Sequence, residues 1–209
     1  MHDQDLLPLE LRFKIPEAVS FIKTILYGSQ LLYANNQDFL SLSFDDRPLL
    51  LSSTIKHTAG LLTDIVLQRA GLLSHPAFLN VIKLIANPTV IPVTMRIERL
   101  LRFDRVVEKI ILAILAFSTT SYTIYLNSPA ANLSDLKKTL RIQGTYTELM
   151  WRYLLYKYDD KQAVICFSNL IRCLFALHEA IVRACDIQWF TEKMNDLILD
   201  TELTLIIAD

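Results

Sequence analysis

Glycine, paired cysteines and an excess of either charge are what this chain lacks, and each shortage closes off a class of function. Only 4 of its 209 residues are glycine. Phosphate-cradling loops need several glycines close together, so no glycine-rich nucleotide site is present, and few turns leave room for long helices. The three cysteines, Cys166, Cys173 and Cys185, contain no CxxC pair, which removes a structural zinc module. An odd number in apolar helical surroundings reads as reduced core thiols. The net charge of -1 gives no whole-chain footprint for nucleic acid. The longest apolar run, Ile110 to Phe117, falls far short of the ~20 residues that span a bilayer. Asp3, Asp5 and Glu10 interrupt any basic-then-apolar signal pattern. A soluble chain is the expectation.

Catalytic motifs are missing too. No Ser/His/Asp set has a GxSxG context. His2, His57, His75 and His178 lack metal-ligand spacing. His178 and Glu179 are adjacent on a helix and point to different faces, so they are no acid/base pair. The tyrosines around Trp151 have helical spacing without interleaved basic residues and read as core. Neither an enzyme nor a cofactor or metal is expected.

What is present is apolar: 52 % of the residues, enough for one domain with a real core and long helices. Residues 1–15 read as a lead-in, with a short helix around Leu6–Phe13. Pro16 suits the first turn of a helix. Gly28 inside that helix costs about 1 kcal/mol against Ala, which points to close packing there. A segment from Asp46 to about Ala70 is apolar on most sides, the mark of a helix buried between others. Gly71 and Pro76 end it. Thr89-Val90-Ile91, a β-branched triplet between Pro88 and Pro92, reads as a strand in a small β-hairpin over 88–95. A helix from Arg96 or Asp104 to Thr119 follows, then a polar loop, Asn127–Asn132. Ser134 is the expected cap of the next helix. The last long helix is expected over Gln162 to Met194, with Leu197–Ile207 as a terminal apolar segment.

The stretch around Asp46 carries most information. Phe39, Leu42 and Phe44 are spaced apolar residues, Asp45, Asp46 and Pro48 suit a helix start, and Leu49, Leu50 and Leu51 open an apolar helix. This order resembles the signature of nuclear receptor ligand-binding domains. The likeness extends through Arg102-Phe103-Asp104-Arg105 with Ile110, Ala113, Ile114 and Phe117, and through Tyr146, Leu149, Tyr153 and Tyr158. It continues through Phe167, Leu170, Leu174 and Leu177, and through Asp200-Thr201. The pattern is most similar to retinoid X receptor-like members. It implies an all-α, three-layer antiparallel helical sandwich. It also implies a nuclear transcription factor domain that regulates transcription by dimerising with another receptor domain and binding coregulators, with or without a small lipophilic ligand. No DNA or membrane contact is implied for this domain. The family's zinc-binding DNA module is absent from the chain.

The resemblance also implies sites. Phe21, Ile22, Ile25, Ile55, Ala59, Thr63, Val66, Ala184 and Ile187 would line a pocket. Val66 stands where retinoid X-like members have a carboxylate-binding Arg, so a buried fatty-acid carboxylate would be unpaired and costly. Arg172, Cys173, Phe175, Ala176, His178, Glu179 and Val182 would form the dimer surface. Ala34, Leu50, Glu202 and Leu205 would mark the coregulator groove. Ala34 replaces the family's clamp Lys and Leu205 its clamp Glu, Arg47 replaces a Gln, and His57 replaces a Glu. Without charged clamps, a coactivator peptide would bind weakly, and Leu197–Ile207 would cover the groove. The rival reading is a helical scaffold or adaptor subunit unrelated to receptors. It would leave one face of the Leu49–Val66 helix open in a groove, whereas a receptor domain covers both.

Overall fold

The computed structural model describes residues 15–85, 88–118 and 133–208, so the lead-in helix expected at Leu6–Phe13 and the loop expected at Asn127–Asn132 lie outside it. Within these residues the fold is all-α. Its helices are α1 (Ile15–Gly28), α2 (Gln30–Ala34), α3 (Gln37–Leu40), α4 (Asp46–Arg69), α5 (Pro76–Ile85), α6 (Ile91–Leu100), α7 (Arg105–Ala116), α8 (Leu136–Lys157), α9 (Asp160–Cys185) and α10 (Gln188–Ala208).

α4 organises the molecule. It packs against α1, α6, α7, α9 and α10. Its buried residues include Leu50, Leu51, Ile55, Ala59, Leu61, Ile65 and Leu67, which lie on different faces. Leu61 and Ile65 join α6, α7, α8 and α9 in one core cluster. Leu50, Leu51, Ile55 and Ala59 join Tyr33, Phe39, Phe117, Met194, Leu197 and Leu205 in a second. Leu67 belongs to a third, with Ala18, Ile25, Leu73, Phe78 and Val81. A helix that feeds several apolar clusters is buried on more than one face, and this one takes the polar Thr54, His57, Thr58 and Asp64 inside with its apolar residues.

The start of α4 is held by charge. Asp46 is 1 % exposed. Its carboxylate accepts hydrogen bonds from Ser134 N (2.6 Å), Ser134 Oγ (2.7 Å) and Asp135 N (3.2 Å), which ties α4 to the start of α8. The Arg47 guanidinium donates to Leu42 O at 3.2 Å and Leu40 O at 2.5 Å, closing the preceding turn. Close by, Tyr33 Oη meets Thr54 Oγ1 at 3.0 Å and Thr58 Oγ1 at 2.9 Å, all buried.

Four expectations change. The β-hairpin over 88–95 is replaced by a turn and the first residues of α6, and there is no strand among the described residues. Pro92 sits in the first turn of α6, where it needs no N–H partner, so the second proline starts a helix instead of ending a strand. The expected helix over 162–194 is two helices, broken at Asp186–Ile187. Ser134 is not the cap of α8. Asp135 is, accepting from Lys138 N at 2.9 Å, because Ser134 is engaged by Asp46. Gly28 is not the tight spot either, since a Cβ there would only touch Leu62 at 3.9 Å. Gly60 is: its Cβ would lie 2.8 Å from Ile181 Cδ1, so the absence of a side chain lets α4 and α9 approach. Gly71, at φ +68°, provides the left-handed residue that ends α4.

α9 is the one described helix long and apolar enough to cross a membrane. Its Ala163, Leu170, Cys173, Ala176 and Leu177 all face the protein core.

Candidate functional site

Below the C-terminal half of α4 lies a partly enclosed cavity of about 160 Å³. The close α4–α9 approach at Gly60 forms one wall, with Leu177, Ala180 and Ile181 opposite. α1 contributes Ile22 and Leu26, and α5, α6 and the start of α10 close the rest. Ile22, Thr63, Ala184 and Ile187 are therefore on the lining. The other five residues assigned to a pocket are elsewhere. Phe21 is partly exposed on α1, Ile25 and Val66 pack in the third cluster, and Ile55 and Ala59 fill the second. The difference lies along α4: the lining there runs from Gly60 to Leu67, whereas the residues assigned from it start a turn earlier, at Ile55 and Ala59.

The lining is almost wholly apolar, with one carboxyl group. Asp64 is 7 % exposed and has no hydrogen-bond or ion-pair partner among the described residues. Burial alone pushes its pKa up to about 8. Neither Asp64 nor Gly60 stood out in the sequence. The available signal was an acidic residue in the apolar second half of the helix, with Gly60, Leu61, Leu67 and Gln68 at the i±3 and i±4 positions and no basic neighbour among them.

A second polar feature joins α4 to α9. His57 Nε2 lies 3.2 Å from His178 Nδ1, and the rings stack with centroids 5.5 Å apart. His57 Nδ1 and His178 Nε2 are buried without partners. Burial, with the nearby His178 and Lys56 charges, lowers the His57 pKa to about 4. His178 therefore points inward, towards α4, and not towards a partner surface.

The remaining residues of the assigned dimer surface divide in the same way. Cys173 and Ala176 are buried in the core, which pushes the Cys173 thiol up to about 12. Glu179 pairs with Arg96 and with Arg183 on its own molecule. Phe175 is 73 % exposed, Arg172 is exposed, and Val182 is half-buried. Val164, Ile171 and Phe175 make an outward apolar stripe on α9 at spacings of seven and four. The residues assigned to the coregulator groove are mostly interior. Leu50 and Leu205 are buried together in the second cluster and Ala34 packs against it. Glu202 is half-buried, and burial raises its pKa. α10 lies over α2 and α4, with Met194, Leu197 and Thr201 fully buried.

The functional geometry is thus a ligand-sized apolar cavity with one acid, and an exposed apolar stripe on the longest helix. Set against known proteins, the chain matches no family model, no curated protein and no solved structure.

Proposed function

We propose that this chain is a ligand-binding and dimerisation domain of the nuclear receptor type, which regulates transcription in the nucleus through a receptor partner and coregulators. The observation that carries the reading is α4, a long helix covered on opposite faces by three apolar clusters. The resemblance to the family implies such a central helix, in the middle of a three-layer sandwich. A helical-repeat adaptor, the rival reading, would leave one face of it open. Two further features support it. The Phe39–Asp46 turn has Phe39 and Leu42 inside, though Phe44 is exposed, and its acid is fixed by hydrogen bonds. A cavity of ligand size adjoins the central helix. α10, laid over α2 and α4, fits a domain whose coregulator groove is filled by its own terminal segment.

Sedimentation of the purified chain, alone and mixed with a retinoid X-type receptor domain, tests this. The expected result is a dimer in at least one of the two samples. Phe175→Asp should give a monomer with unchanged helix content, because Phe175 is exposed and its loss opens no cavity. A chain that is monomeric alone and has no affinity for the receptor domain overturns the proposal.

A further inference from the structure

We infer that the cavity beside α4 is a binding site for a small lipophilic amine, with the Asp64 carboxylate as the counter-ion of its ammonium group. The inference deepens the ligand-binding half of the function proposed above and rests on that half alone. Dimerisation and transcriptional output do not enter it.

Asp64 is more than nine-tenths buried, lines the cavity, and has no partner among the described residues. Among the described residues no Lys, Arg, His, Asn, Gln or Trp is on the lining, so these walls supply no cation and no side-chain N–H donor. Two hydroxyls share the lining: Thr63 donates its hydrogen to Ala59 O at 2.8 Å and offers lone pairs inward, and Thr94 can donate or accept. A buried acid with no cation on the wall around it complements an ammonium, which has three donors and no acceptor. It opposes a carboxylate, whose own charge would find no cation on an apolar wall. A buried acid left single is costly in its charged form and stabilised by an incoming opposite charge.

Size limits the ligand further. A cavity of about 160 Å³ is of the order known to hold one benzene ring, about 150 Å³. The rest of the wall is apolar apart from the threonine hydroxyls, with Phe190 and Met95 as its larger members. The ligand class is therefore an amine on a short linker with an apolar body of about one ring. The free acid has a pKa of about 8, so at neutral pH it holds a proton that the amine must displace. Among the described residues, Cys173 on α9 is the titratable group that senses Asp64, and its own thiol stays protonated. The lining residues from α1, α5, α6 and α10 are not titratable.

Calorimetry on the full chain with 2-phenylethylamine tests the inference, with 2-phenylethanol, ethylbenzene and 3-phenylpropionate as the neutral, apolar and anionic comparisons. The amine should bind at least ten-fold tighter than the alcohol or the hydrocarbon, and the anion should not bind. Amine affinity should rise between pH 5 and 8. Titrations in buffers of different ionisation enthalpy should show release of close to one proton per amine at pH 6.5. Asp64→Asn should lose the preference for the amine and keep ethylbenzene. Ala180→Leu, which fills the cavity, should lose both. Preference for the alcohol, or affinity that falls as pH rises, would make Asp64 a neutral donor and overturn the inference. So would amine binding that survives Asp64→Asn. A chain that dimerises but prefers no amine loses this inference alone, whereas a chain that binds the amine but joins no receptor domain loses the proposed function alone.

Discussion

Two carboxylates on one helix make the most instructive comparison in this molecule. Asp46 and Asp64 are both buried on α4, five turns apart, and their environments are opposite. Burial acts on Asp46 to raise its pKa, but donors from Ser134, Asp135 and Ser43 outweigh it and the pKa ends lowered. Asp64 has burial and no donor, and its pKa ends near 8. The first acid is a joint between helices. The second has no structural task that its surroundings reveal, and a group that is costly to bury and joins nothing is where a ligand site is sought.

The largest test of this contrast is Asp64→Asn. The folded protein keeps Asp64 protonated up to about pH 8, whereas the unfolded chain loses that proton near 4. A raised carboxylate pKa means stability fully present below about pH 4 and lost as pH rises towards 8. The loss is on the order of 4 kcal/mol at pH 8, from ~1.4 kcal/mol per unit with allowance for relaxation around the charge. Asp64→Asn should therefore raise the denaturation midpoint at pH 8 and change little at pH 4. A variant that is less stable at pH 8 would show that Asp64 has a partner in the fold and would dissolve the contrast.

His57 sharpens the same measurement, because its sign is opposite. Its folded pKa is lowered to about 4, below the ~6.5 of the unfolded chain. Stability from this group is present above pH 6.5 and lost as pH falls towards 4, by about 3 kcal/mol. From pH 4 to 6.5 the two groups oppose each other. The wild type should have a nearly flat stability profile there, then decline to pH 8. Asp64→Asn should convert the flat part into a rise, and His57→Gln into a continuous fall. Urea midpoints at half-unit steps would separate the three curves. Coincident curves would mean that neither group is held as described.

Asp46→Ala breaks the other side of the comparison. Removing the carboxylate strands the Ser134 and Asp135 N–H groups in a half-buried joint. Charged hydrogen bonds of this kind contribute about 1.5–3 kcal/mol each at most, with overlap between them. A loss of about 3 kcal/mol is expected at pH 7. The effect should shrink below about pH 4, because the lowered pKa gives stability that is present above the unfolded value and lost as pH falls through the folded one. A cost that is equal at pH 3 and pH 7 would mean that the charge does not hold the joint.

Much of α4 is legible from its residues. Leu49–Leu51 and the apolar residues spaced after them, Ile55, Ala59, Leu61 and Ile65, give the pattern of a helix buried on most sides, and the observed bounds, Asp46–Arg69, lie within a residue of that reading. The same local logic fails at Pro88–Pro92. A β-branched triplet prefers a strand only if a partner strand exists, and here Pro92 in a first turn makes a helix the better local solution. It also fails at Asp186–Ile187, where neither Gly nor Pro marks the break between α9 and α10. The cavity depended on something sequence does not carry: how closely two helices approach. Gly60 permits that approach, and its effect becomes visible only when Ile181 and Leu177 are across from it.

The smallest effect belongs to Tyr33→Phe, and its smallness is what the comparison requires. Tyr33 is fully buried, and burial pushes its pKa up to about 12, so it is neutral at any ordinary pH. Its hydroxyl bridges Thr54 and Thr58, a network that looks as strong as the one around Asp46. The difference lies in what remains after deletion. Thr54 Oγ1 already donates to Leu50 O at 2.8 Å, and Thr58 Oγ1 to Ile55 O at 3.1 Å. Each threonine hydrogen has a carbonyl acceptor on its own helix, and the single Tyr33 hydrogen can serve either threonine oxygen. Its removal leaves the threonines with unfilled lone pairs and no stranded hydrogen. Phenylalanine keeps the ring, and with it the edge contact to Phe39 at 5.0 Å. The expected cost is about 1 kcal/mol, the net value of one neutral hydrogen bond, with no change between pH 4 and pH 9. Thermal denaturation of Tyr33→Phe beside Asp46→Ala reads the difference directly. Equal losses would mean that burial, and not the fate of the orphaned donors, sets the cost of a polar group along α4, and the distinction between its two acids would then lose its physical basis.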